Sequence, residues 1–223
     1  VLQIYRINKI KLTIPVEVYD ITVEEYNNFA LSSGVFVHNS GKDWISAIIT
    51  ARIVYKLLCL KSPQKYYKQS KVSHIDMLNM AYGEGQAEQT YFSYLKSILK
   101  QSPWFIGKCK IKEGIIRFDK NIRAFNGNSF EEAFEGKNLF VCVLDEIAAF
   151  KTDEEISMMM RKRMRAPRYT ASAVYDMAQT SIASRFGNLG KLISISFPRY
   201  KGDFIQQLYE KRKDDAEAYV SFG

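Results

Sequence analysis

One stretch constrains the fold more than any other. Leu139-Phe140-Val141-Cys142-Val143-Leu144 is an unbroken apolar run that ends in Asp145-Glu146. A strand with one wet face alternates apolar and polar side chains. A continuous run therefore predicts a strand buried on both faces, as in a parallel sheet covered by helices. Ile75–Ala81 reads as another buried strand and residues 192–196 as a further strand, and Ile115–Phe118 with residues 122–125 read as a hairpin around Asp119-Lys120-Asn121. Ile45, Ala47, Ile48, Ala51, Ile53, Val54 and Leu57 recur at helical spacing over residues 41–60, and residues 86–99 read as an amphipathic helix. Alternation of strands and helices predicts an α/β protein with a mostly parallel sheet.

The acidic tip carries the first chemistry. An apolar strand closed by Asp-Glu is the Walker B arrangement, in which Asp145 would hold Mg²⁺ and Glu146 would orient or deprotonate an attacking water. Core strands also end in solvated acidic turns, so the tip needs a phosphate-binding partner. Ser40-Gly41-Lys42 matches the second half of a phosphate loop. A helix starting there would turn free N–H groups towards the phosphates of ATP, with Ser40 and Gly41 lining them and Lys42 reaching the β- and γ-groups. Asp43 stands where Ser or Thr usually meets Mg²⁺, and a carboxylate is also a Mg²⁺ ligand. A complete loop needs a Gly several residues before its Gly-Lys pair. Here Phe36-Val37-His38-Asn39 fills those positions and reads as strand, so the loop is cut between Asn39 and Ser40.

Residues 18–40, VYDITVEEYNNFALSSGVFVHNS, resemble the C-terminal splicing region of inteins over their whole length. The residue types suit that chemistry. The Asn39 side-chain amide can attack its own backbone carbonyl, forming a succinimide and cutting the chain. His38 can donate a proton to that step. Ser40 supplies the hydroxyl nucleophile that receives the upstream chain. The resemblance implies that Asp20 is a helper carboxylate, whereas Asn27 departs from the His that many inteins carry there. It also implies a small all-β segment over residues 1–39 and a complementary N-terminal intein part, either a separate chain or an upstream piece. Val1 and Gly223 are read as the ends of a fragment.

Four motifs in order, SGKD, LFVCVLDEI, SRF and LISISFPRYKGDF, are similar to the ATPase domain of the large terminase subunit of tailed double-stranded DNA phages. The resemblance covers about residues 40–223 and implies a RecA/ASCE-like P-loop fold using ATP and Mg²⁺. It implies that Ser196, at the end of its strand, senses γ-phosphate and couples hydrolysis to DNA movement. Arg185 becomes a candidate charge-stabilising arginine, acting in cis or on a neighbouring subunit. Double-stranded DNA, a portal protein and a small terminase subunit are the implied partners, with ring oligomers on the capsid, inside the host cell cytoplasm. The family's nuclease half is not represented in these residues.

Composition narrows the alternatives. A net charge of +8 permits a polyanionic partner, and five cations crowd Arg161-Lys162-Arg163-Met164-Arg165-Ala166-Pro167-Arg168. That run suits DNA phosphates and equally suits a solvated helix end. The apolar stretches are too short and interrupted to span a bilayer. Cys59, Cys109 and Cys142 show no metal-site or disulfide spacing, which predicts a reducing compartment. A helicase-like ATPase, or a DNA- or partner-binding module with degenerate ATP chemistry, are the competing readings. Asp43 is the best support for the latter.

Overall fold

The computed structural model describes residues 28–30, 36–38, 41–82, 91–128, 136–216 and 218. The chain divides into two compact units, Val1–Gly41 and Lys42–Gly223. In the first, β1 (Asn28–Ala30) and β2 (Phe36–His38) pair antiparallel, with Asn28 opposite His38. Asp20, Asn39 and Ser40, named above for splicing, lie outside the described residues, as does the side chain of His38.

The second unit follows the anticipated α/β plan. Its elements are α1 (Lys42–Cys59), α2 (Pro63–Tyr66), β3 (Ile75–Ala81), α3 (Ser93–Gln101), β4 (Cys109–Lys112), β5 (Ile115–Phe118), β6 (Ile122–Asn128), β7 (Leu139–Asp145), α4 (Asp153–Arg161), α5 (Ala171–Phe186), β8 (Lys191–Ile195) and α6 (Phe204–Arg212). One six-stranded sheet runs β4-β5-β6-β3-β7-β8. β6, β3, β7 and β8 are parallel, and β4 and β5 join by antiparallel pairing.

The unbroken apolar run of β7 has the consequence expected of it, and β3 shares that burial despite Asp76 and Asn79, since every residue of both strands is buried. Val141 and Val143 pack under α1 and α3 with Ala47, Val54, Leu95 and Leu99. Cys142 and Leu144 face the other way, onto Val174, Ala178 and Ile182 of α5.

Two polar devices hold α1 in place, one to the sheet and one to the segment before α3. At its carboxyl end, the Lys120 ammonium donates to the carbonyls of Leu58 and Leu60, each at 2.6 Å, where the helix dipole favours a cation. Lys120 sits in the β5–β6 turn with φ +59, followed by Asn121 at φ +55. Near the middle of the helix, the buried Tyr91 hydroxyl meets Thr50 Oγ1 at 2.6 Å, and burial pushes the Tyr91 phenol well above its ordinary pKa.

A second tie locks the register of the central strands. Asp76 of β3 stands opposite Arg123 of β6. Arg123 donates to both Asp76 oxygens, from Nε at 2.7 Å and Nη2 at 2.9 Å. The Asn138 backbone N–H adds a third bond to Asp76 at 3.0 Å.

Candidate nucleotide site

In open parallel sheets, ligands bind beyond the carboxyl ends of the strands. Here that edge is a row. Register places Asn128 beside Ala81, and Asp145 beside Ile195, with Glu146 and Ser196 one residue further on. Lys42 opens α1 at this same edge. Its Nζ lies 2.5 Å from Glu146 Oε1, and the two side chains are 25% and 11% exposed.

Ser196 completes the cluster. Its hydroxyl oxygen accepts from the Ala148 N–H at 3.2 Å. The same hydroxyl lies 3.4 Å from Glu146 Oε2 and 3.2 Å from the Phe197 carbonyl. Its single hydrogen serves one of those acceptors at a time. The structure thus brings Lys42, Glu146 and Ser196 together from three separated motifs.

Glu146 adopts left-handed backbone angles, φ 52 and ψ 46. For a residue with a Cβ this costs about 1–2 kcal/mol, the kind of strain found where geometry serves function. It leads into the tight turn Ile147–Ala149, whose Ala149 N–H returns to the Glu146 carbonyl at 2.7 Å. Gly41, immediately before α1, also has positive φ, at +59. Glycine adopts that conformation at no steric cost.

Electrostatics tie two more carboxylates to the cluster. Burial pulls the Lys42 pKa down, but the hydrogen bond and charge of Glu146, with the charges of Asp43 and Asp145, outweigh it and leave the pKa raised. Burial raises the Tyr94 phenol, and the charge of Asp43 raises it further, which places Tyr94 near Asp43. Among the described residues no group of three or more His, Cys, Asp and Glu is arranged to hold a metal. A Mg²⁺ on a nucleotide needs none, because one or two carboxylates, phosphates and waters complete its shell. Asp145, buried at its strand end, and Asp43 fit that donor set.

Arg185 does not join the cluster. It lies in the last turn of α5, shortly before β8 begins, so it stands at the opposite edge of the sheet. The length of β8 alone separates it from Ser196 by roughly 13 Å or more. Its backbone carbonyl there accepts from Gln69 Nε2 at 2.9 Å.

Two residues escaped the sequence reading. Asn128 is buried at the end of β6, a strand expected to stop at Phe125; Asn126-Gly127-Asn128 reads as a turn in isolation. Tyr94 lies on α3 with nothing in its spacing to tie it to Asp43.

Comparison with protein families matches residues 2–223 to one described as "Uncharacterized protein MJ0330, N-terminal P-loop domain". The chain belongs to this family. Membership in the P-loop family agrees with a Lys at a helix start meeting a Glu after a buried strand. Among solved structures, the large terminase of bacteriophage HK97 is similar at 16% identity with a TM-score of 0.49. That alignment covers 78% of this chain and 31% of the terminase, so the chain spans under a third of that protein's length. Comparison with curated proteins finds no match.

Proposed function

We propose that residues 40–223, joined to the upstream half of their phosphate loop, form the ATP-hydrolysing motor domain of a terminase-like DNA-packaging protein. Residues 1–39 act as the splicing element that makes the join. The meeting of Lys42, Glu146 and Ser196 carries the ATPase reading. In it, Lys42 grips the β- and γ-phosphates against the α1 N-terminus, and Glu146 takes a proton from the attacking water. Asp145 and Asp43 would hold Mg²⁺, which when bound neutralises developing charge on the phosphates. Ser196 responds to the state of Glu146 at the end of β8.

Arg185 is too far from Lys42 to serve the same ATP, so its proposed role is on the nucleotide of a neighbouring subunit in a ring. Portal protein and small terminase subunit remain the proposed assembly partners, inside the host cell.

Intact mass tests the splicing. Mixed with a matching N-terminal intein part, the chain is expected to lose residues 1–39 and appear ligated at Ser40. Asn39→Ala should block release of the tail completely, because no other side chain at that position can form the succinimide. Normal excision by that variant would remove residues 1–39 from this role. The joined product is then expected to hydrolyse ATP faster when double-stranded DNA is added.

The basic segment is the proposed DNA contact. Only Arg161 belongs to α4; residues 162–165 follow the helix and are exposed, with Arg163 at φ +54. Replacing Arg161, Lys162 and Arg163 with Ala in the joined protein should weaken DNA binding and lower the slope of log affinity against log salt by about 2–3. An unchanged slope would return the run to a merely solvated surface.

Asp43 favours a second reading, nucleotide binding without turnover. ATP affinity in the joined protein with no measurable hydrolysis would be its signature.

A further inference from the structure

We propose that the exposed face of β4 and β5 is a contact surface for double-stranded DNA, separate from residues 161–168, on which Lys110, Lys112 and Arg117 hold the phosphates of one strand. Register makes the row. Lys110 of β4 stands opposite Arg117 of β5, and Arg117 stands opposite Arg123 of β6. Directly opposed side chains share one face of a sheet, and Lys112, two residues on from Lys110, shares it too. Ile116 and Phe118 point the other way, into the core with α1 and α3. On the row's own side α5 packs over β7 and β8, and Lys110, Lys112 and Arg117 are exposed.

Like charges set directly opposite one another destabilise a sheet. Arg123 is relieved by its two bonds to Asp76. Lys110, Lys112 and Arg117 have no such relief. Among the described residues none of them makes an ion pair, not even with exposed Glu113 and Asp119 in the adjoining turns. Protection of the sheet edge accounts for lysines on β4, the outermost strand. It does not account for Arg117 on the inner strand β5, where a carboxylate would have paired with Lys110. An unrelieved repulsion points to a ligand that brings the negative charge. The face does not suit a protein partner, because interface cores are apolar and poor in charge. Between these cations the apolar residues are half-buried Ile115 and buried Phe125, whose ring lies 4.8 Å beneath the Lys137 ammonium. It offers no exposed ring on which an unpaired base could stack. Duplex phosphates, one about every 3.4 Å of axis along each strand, suit a rigid row roughly 10 Å long. The choice of DNA rests on the motor reading, whereas the cation row does not.

Anisotropy of a labelled duplex DNA over a salt series tests this on the full unspliced chain. Changing Lys110, Lys112 and Arg117 together to Gln should lower the slope of log affinity against log salt by about 2–3. The reference protein carries Lys61→Gln, Lys65→Gln and Lys71→Gln, which remove the same charge from another exposed surface. Its slope should fall by less than about 1. Equal losses in the two proteins overturn the proposal in favour of net charge, and an unchanged slope in the first overturns it outright. Arg117→Glu separates ligand from scaffold. It should pair with Lys110 and raise the urea midpoint, while DNA affinity falls about tenfold or more. A raised midpoint with full DNA affinity overturns the proposal. Single-stranded DNA bound more tightly than duplex overturns the duplex as occupant. DNA held through the row by a joined product that hydrolyses no ATP supports the surface and overturns the motor reading alone.

Discussion

Glu146→Gln in the joined protein is expected to lower ATP turnover by about 10²–10⁴-fold, the range that a positioned general base supplies. The amide keeps the size of the carboxylate and its hydrogen-bonding reach, so the strained turn after β7 survives. What disappears is the negative charge that takes the proton. Nucleotide affinity should not fall with it. Lys42 is paired with Glu146 at 2.5 Å, and that partner competes with phosphate for the ammonium. Removing the competing charge should leave ATP affinity equal or up to about fivefold tighter, since a partly exposed pair contributes roughly 1 kcal/mol at most. Turnover by rapid quench and affinity by fluorescent-nucleotide titration read the two effects separately. Full turnover in the variant would take the base role away from Glu146. Lost affinity with lost turnover would make it a structural residue.

The second large effect concerns stability. Arg123→Ala should destabilise the domain by about 3–5 kcal/mol, because it strands a buried carboxylate without its cation. Asp76 has no exposed side-chain surface, and after the substitution only the Asn138 N–H would remain to it among the bonds described above. Asp76→Ala should cost less, since Arg123 keeps 18% exposure and can turn towards water. The replaced pair lies at the amino end of β3, about 17 Å of strand from the phosphate edge. Variant protein that remains folded should therefore bind nucleotide normally. Urea denaturation gives the stability, and a loss below about 1 kcal/mol would show that the pair merely decorates the register rather than locking it.

The same residue shows where sequence stops being informative. β3, β7 and α1 were legible because burial on both faces, or on one helical stripe, writes itself as an apolar run or a 3.6-residue period. Asp76 interrupts such a run, and only the fold reveals Arg123 as its partner across forty-odd residues of sequence. α5 hid for another reason. Its inward stripe of Ala171, Val174, Tyr175, Ala178, Ile182 and Phe186 is spaced correctly but diluted by small and hydroxylated residues, so the helical period is weak. β4, with Cys109 and Ile111 between lysines, is too short and polar to announce a strand.

At the site, Lys42, Asp145 and Glu146 were nameable because phosphate chemistry demands those residue types, and Ser196 was nameable only through the family resemblance. The left-handed turn at Glu146 has no sequence signal, since the residues that usually adopt it are Gly and Asn. Arg185 was nameable but misplaced for an action in cis. A motif gives a residue type and an order along the chain, and the handedness of the path between motifs decides which edge of the sheet it reaches.

The lone hydrogen of Ser196 has two acceptors to choose between at the end of β8. While Lys42 shares the charge of Glu146, the carboxylate is a weak attractor, and the Phe197 carbonyl competes for that hydrogen. In the proposed motor, phosphate would draw Lys42 away, and Glu146 would regain its full charge and outbid Phe197. The strand end would then change its bonding pattern. Phe197 is exposed, and Arg199, stacked 5.6 Å from its ring, donates its backbone N–H to the Asp203 that caps α6. On that reading a charge shared or unshared at one lysine would set the posture of a surface segment, a message legible to whatever rests against it.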